Sequence, residues 1–147
     1  MFRLVAKTRY YTIAFFLAFL LTSCSVQLNC ILHNNTTFEV SIVKQRLSGI
    51  KEKFHLLPGN SIELSGWTYN DYIITFNNTV WRYDPPAPSL EFVEMSGFGP
   101  WIKRLVYAQL EEDGRIFIYK KGERPPNIQE TNQPEGYPLI AEVMRPS

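Results

Sequence analysis

The chain has 147 residues, 15 of them basic and 14 acidic, with two histidines and two cysteines. That length is one domain's worth, enough for a single core. The near-even charge leaves no electrostatic footprint for nucleic acid.

The first ten residues carry Arg3, Lys7 and Arg9 and no acid, and an apolar run follows over residues 13–21. A membrane-spanning helix needs about 20 apolar residues, so this run is too short to span. A basic start, a short apolar core and small polar residues at Thr22 and Ser23 make a secretory signal over residues 1–23. Without the leader's three cations the acids slightly outnumber the bases. No polybasic segment flanks the signal, so lipid is the one evident membrane device.

Leu21-Thr22-Ser23-Cys24 resembles the lipobox of bacterial prolipoproteins. The resemblance covers only the first two dozen residues. It implies that Cys24 is the first mature residue and carries acyl chains. It also implies, for a Gram-negative envelope, that Ser25 directs sorting to the outer membrane, facing the periplasm. The competing reading is ordinary cleavage that leaves Cys24 free or paired with Cys30. Leu21 is bulky for that cleavage signature. If Cys24 is acylated, Cys30 has no partner, and its place at period two with Val26, Leu28 and Leu32 makes it a buried thiol.

Residues 26–32 alternate and predict a first strand, and the Asn-rich stretch 33–36 predicts a turn. Phe38, Val40 and Ile42 predict a second strand, the hairpin partner of the first. Residues 47–53 are polar and poorly periodic. Pro58 and Gly59 suit the two central positions of a type II turn, and Ile62 and Leu64 follow as a short strand. Residues 72–76 and 79–83, rich in β-branched and aromatic side chains, flank Asn77-Asn78 and predict a hairpin. Prolines make residues 84–88 a loop. Residues 90–95 are open between strand and turn, and 96–101 form an irregular loop. Residues 103–110 and 115–119 predict a second hairpin closed by residues 111–114. Beyond Lys121 five prolines lie among Asn, Gln and Glu, which predicts an extended tail over residues 122–147, partly docked through Tyr137 and Leu139.

These short, regularly spaced strands predict an all-β fold: a small antiparallel β-sandwich or open barrel over residues 24–121, with a proline-rich C-terminal tail.

The catalytic inventory is thin. His33 and His55 are far apart and lack the close spacing of zinc ligands. No nucleophile elbow, phosphate-cradling loop or calcium loop is present, and Ser61, Ser65 and Ser96 have no base nearby in sequence. The acidic run Glu111-Glu112-Asp113 reads as a solvated hairpin tip. No catalytic residue, metal or cofactor is expected. Trp67, Tyr69, Phe98 and Trp101 fall in loops, where indoles and phenols suit protein or glycan binding; the alternative is that they cap the core. The expected function is a lipid-anchored cell-envelope protein, attached through Cys24, whose non-catalytic β-domain binds an envelope partner or ligand through its loops. Two others remain: a structural accessory of an envelope assembly such as a secretion or appendage machine, which would use free edge strands, and a cell-wall or lipid hydrolase, which needs His33 or His55 beside a carboxylate or serine in a cleft.

Overall fold

The computed structural model describes residues 26–98, 101–123 and 132–144. Ten strands form in chain order: β1 (Leu28–Asn34), β2 (Val40–Arg46), β3 (Lys51–Leu56), β4 (Ser61–Leu64), β5 (Asn70–Phe76), β6 (Thr79–Tyr83), β7 (Glu94–Ser96), β8 (Lys103–Leu110), β9 (Ile116–Tyr119) and β10 (Glu142–Met144). Short 3-10 helices occupy Trp67–Tyr69 and Leu90–Phe92. The second belongs to the stretch whose sequence is open between strand and turn, and β7 follows it directly.

The strands make two sheets, so the fold is an all-β sandwich and not a barrel. In the first sheet the order is β4-β1-β8, with β7 and β9 lying end to end along the outer side of β8. In the second the order is β10-β6-β5-β2-β3. Among the described residues every pairing is antiparallel except one: β1 runs parallel to β8, from Leu28 beside Arg104 to Asn34 beside Leu110. The expected small antiparallel sandwich therefore forms, with one parallel pair that makes its first sheet mixed.

The predicted β1–β2 hairpin is also absent. β1 already has β4 on one side and β8 on the other, and β2 pairs with β3 and β5 in the opposite sheet. The chain crosses over at Asn34, which is fully buried. Its side-chain amide donates to the carbonyls of Phe38 and Leu56, and its oxygen accepts from the Thr36 amide and hydroxyl. Asn34 is thus a peg between sheets, not a hairpin corner. The Pro58-Gly59 turn forms as its residues dictate, with Gly59 at φ 74° and the Asn60 amide on the Leu57 carbonyl. It too crosses between sheets, from β3 to β4.

The two predicted hairpins form as such. Asn77 and Asn78 both adopt positive φ, 47° and 57°, the twist that matches a two-residue hairpin. The β8–β9 hairpin closes through Gly114 at φ 80°. Alternation places Leu28, Cys30 and Leu32 of β1 against Val40, Ile42, Tyr72 and Ile74 of the other sheet in one core. Burial on this scale is the main stabilising term of the domain.

The C-terminal segment is part of this body. Tyr137 and Leu139 are buried, and Leu139 bridges to Ile116 in both directions. The Gln133 side chain acts as a short length of strand: its oxygen accepts from the Ile118 amide and its nitrogen donates to the Ile118 carbonyl. β10, which the sequence leaves inside the tail, joins the second sheet beside β6. The opposite edge of that sheet, β3, alternates Lys51, Glu52 and Lys53, and charged side chains blunt an edge against strand addition.

The connections define two ends. At one, the Asn34 end, lie the loops after β1, β3, β5 and β8. At the other, the Val26 end, lie the start of β1, the turn between β2 and β3, the link from β4 to β5 and the loop between β7 and β8.

Candidate functional site

The four loop aromatics divide. Trp67 is 0% exposed and sits in the core, which corrects its expected place in a binding loop. Its ring lies 4.9 Å from that of Tyr72, and its indole N–H donates to the Tyr137 hydroxyl at 3.0 Å. The indole therefore buries its full apolar area without leaving a polar atom unpaired. Gly66, at φ 68° with the Asn70 amide on its carbonyl, turns the chain inward just before it. In a 3-10 turn, with three residues per turn, residues two apart cannot share a face. Tyr69 accordingly points outward and is 60% exposed.

Phe98 and Trp101 are also outside, at 88% and 77% exposure. They belong to the tight loop between β7 and β8. The Trp101 amide donates to the Phe98 carbonyl at 3.3 Å, and Gly97 has φ 104° with the Trp101 carbonyl so close that a Cβ would meet it. Gly99 and Pro100 lie outside the described residues.

Leu47 is a surface residue that the polar, aperiodic texture of 47–53 conceals. It heads the β2–β3 turn, where Gly49 donates to the Arg46 carbonyl, and it is 99% exposed. A cleft of about 360 Å³ runs beside it, lined by Gln27, Lys44, Ser65, Tyr69 and Asn70 among others. A smaller one of about 210 Å³ lies on its far side, between Gln45, Gly49 and Asp71. Leu47 and Tyr69 border both, so they stand as a ridge between two depressions.

All of these features lie at the Val26 end. Gln27 shares a cleft with Leu47 and Tyr69, and β1 and β8 run side by side and in the same direction, so the chain before Leu28 and the chain before Arg104 leave together. Several of the charges there are paired. Lys44 faces inward at the end of the core; its Nζ donates to Glu52 at 3.0 Å and to Ser65 at 2.8 Å. Arg46 donates to the other oxygen of Glu52, and the hydrogen bond from Lys44 leads in holding that carboxyl below its usual range. Glu63 accepts from Asn29 and Lys103, joining β1, β4 and β8, and those bonds lower it likewise, Lys103's first.

The histidines do find partners that sequence spacing conceals, because register sets them. His33 Nδ1 lies 3.0 Å from Ser61 Oγ, as cross-strand neighbours of β1 and β4. His55 Nδ1 lies 3.0 Å from a Glu39 oxygen. Both contacts are on solvent-facing surfaces toward the Asn34 end, away from the two clefts. Glu111, Glu112 and Asp113 sit at the β8–β9 tip, where Glu112 accepts from Thr37. Among the described residues no three His, Cys, Asp or Glu side chains gather as a metal site. Cys30 is fully buried, and burial pushes its thiol well up, so it is a core residue and a poor nucleophile. Cys24 and Ser25 lie outside the described residues. No described helix is long and apolar enough to cross a membrane.

Comparison with protein-family models, curated proteins and solved structures finds no match for this chain.

Proposed function

We propose that this chain is a lipid-anchored cell-envelope protein, held by acyl chains on Cys24, whose β-sandwich is a binding module and not an enzyme. The carrying observation is the join between motif and fold. Leu21-Thr22-Ser23-Cys24 ends where Ser25 begins a three-residue link to β1 at Leu28. Each buried methylene contributes about 0.8 kcal/mol, and a single chain holds only marginally; two or three chains on one cysteine make a stable anchor. Ser25 favours the outer membrane, with the domain in the periplasm. The loop aromatics Tyr69, Phe98 and Trp101 are the binding surface: they are large, exposed and held by tight turns.

The test is Cys24→Ser in the full chain, with fractionation and intact mass. The wild type is expected in membranes, cleaved before Cys24 and carrying the mass of acyl chains on that residue. The variant is expected unprocessed, or released. An unmodified Cys24 in the mature wild-type protein would refute the anchor.

A further inference from the structure

We infer that the Val26 end of the sandwich is itself a membrane-docking face, whose exposed aromatic and aliphatic side chains enter the headgroup region of the bilayer beside the anchor. The inference rests on the lipid-anchor reading for its geometry and adds a partner for the loop aromatics: the bilayer, not a protein or a glycan.

Three observations carry it. The first is reach. Val26 is described at this end, and the two residues of chain back to Cys24 span at most about 7 Å however they are arranged. A lipid on Cys24 therefore brings this end, and no other, against the headgroups.

The second is what the end displays. Leu47, Ile50, Tyr69, Phe98, Trp101 and Ile102 are all exposed there. They come from three separate connections, the β2–β3 turn, the β4–β5 link and the β7–β8 loop, which surround the start of β1. A soluble surface scatters such residues singly; a cluster rimmed by polar groups marks an interaction site. Trp and Tyr are the residues that settle at a membrane–water boundary, and Leu and Phe are those that enter the acyl region. The Asn34 end differs in kind: its tips carry Asn35, Asn77, Asn78, Glu112 and Asp113, and its large exposed apolar side chains are Leu57, Phe38 and Met144 at the end of β10, none of them Trp or Tyr.

The third is charge. Arg46 is paired with Glu52, Lys103 with Glu63 and Arg82 with Asp71. Lys51 and Arg104 form no ion pair among the described residues and stand at the same end, so the contact is led by apolar side chains with a few cations at its rim.

Trp101 is a built-in reporter, because Trp67 is buried and Trp81 is largely covered by the sandwich. The full-length lipidated protein is reconstituted in phosphatidylcholine vesicles whose acyl chains are brominated near the headgroup. Bromine is expected to lower wild-type tryptophan emission and to leave Trp101→Phe unaffected. The loss is expected with phosphatidylcholine alone, to be no smaller when phosphatidylglycerol is mixed in, and to be weaker in Phe98→Ser. Intact mass of the same sample reports Cys24 separately. An acylated protein whose Trp101 is not quenched would overturn the docking face and leave the anchor standing, as would quenching that survives in Trp101→Phe. Quenching that appears only with anionic lipid would overturn its apolar character. If Cys24 proves unmodified, the anchor falls, and addition of the protein to brominated vesicles decides the face alone: quenching of Trp101 supports it and none refutes it. Trp101 dark to bromine in vesicles but shielded in native membranes would assign the face to a protein partner instead.

Discussion

Tyr137→Phe removes one oxygen and tests how the C-terminal segment is held. The hydroxyl accepts from the Trp67 indole at 3.0 Å and donates to the Pro86 carbonyl at 2.9 Å. The ring stays, so apolar burial is almost unchanged and the loss is polar. Pro86 is exposed and that bond is only part-buried, so its loss is expected to cost the less of the two. The indole N–H is different, because Trp67 has no solvent contact. A buried donor left without a partner costs about 1–3 kcal/mol, so the variant is expected to lose about 2 kcal/mol. For a domain of this size that corresponds to roughly 8 °C in Tm. Urea denaturation followed by circular dichroism gives the number, and the double-mutant cycle with Trp67→Phe isolates the bond. Trp67→Phe alone costs more, since it also loses volume in the core. The double variant is expected to be less destabilised than the sum of the singles by about 1 kcal/mol or more. Additive singles, or a Tyr137→Phe loss under about 0.5 kcal/mol, would refute the claim that this bond docks the segment.

Gly114→Ala and Gly122→Ala form a matched pair, with φ of 80° and 90°. At Gly114 a Cβ would stand 2.7 Å from the Trp81 ring, whereas nothing lies within 4 Å at Gly122. Gly122→Ala is expected to cost about 1–2 kcal/mol for the left-handed backbone alone, and Gly114→Ala that plus about 1–3 kcal/mol for the clash; equal losses in urea denaturation would disprove the close approach. Burial pushes the hydroxyls of Tyr72, Tyr83 and Tyr137 up, and burial with a bond to Glu94 pushes Tyr107 up to about 12. The folded state thus holds these protons more tightly than the unfolded chain, whose tyrosines titrate near 10. Stability is complete below about pH 10 and is lost as pH rises toward the folded values. Phenolate absorbance is expected to rise together with unfolding; a urea midpoint that stays level from pH 10 to 12 would contradict it.

What the sequence shows and what it hides follow from distance along the chain. The hairpin at Asn77-Asn78 is local: two residues that tolerate positive φ, between strands that meet at once. The same holds for β8–β9. The stretch around Asn34 has the same turn chemistry, yet the chain there changes sheets, because β4 and β8 occupy both edges of β1. Local composition cannot tell a turn that closes a hairpin from one that bridges a sandwich. Trp67 illustrates a further limit. Gly66 and Thr68 beside it read as loop, and only the arrival of Tyr137 from the far end of the chain makes its burial affordable in polar terms. Phe98, Trp101 and Tyr69 carry their exposure in the sequence as loop residues. That they share an end with Leu47 and with the start of β1 is decided by the β1–β8 and β1–β4 registers. The pairs His33–Ser61 and His55–Glu39 were hidden for the same reason.

The parallel partnership of β1 and β8 also sets an order of events. Most of the second sheet links near neighbours, β2 with β3, then β5, then β6, and β10 joins it from the far end of the chain. Such contacts close short loops and form early. β1 is made first and is satisfied late, because β8 follows only after most of the chain has been delivered. Until then β1, paired with β4 on one side, keeps its other hydrogen-bonding edge open, a template for the wrong neighbour. β1, the strand nearest Cys24 in sequence, is therefore completed later than β2, β3 and β5, and is more exposed than they are to misassembly while the chain is being finished. Substitutions that slow β8, far from β1 in sequence, should show their damage as aggregation during folding.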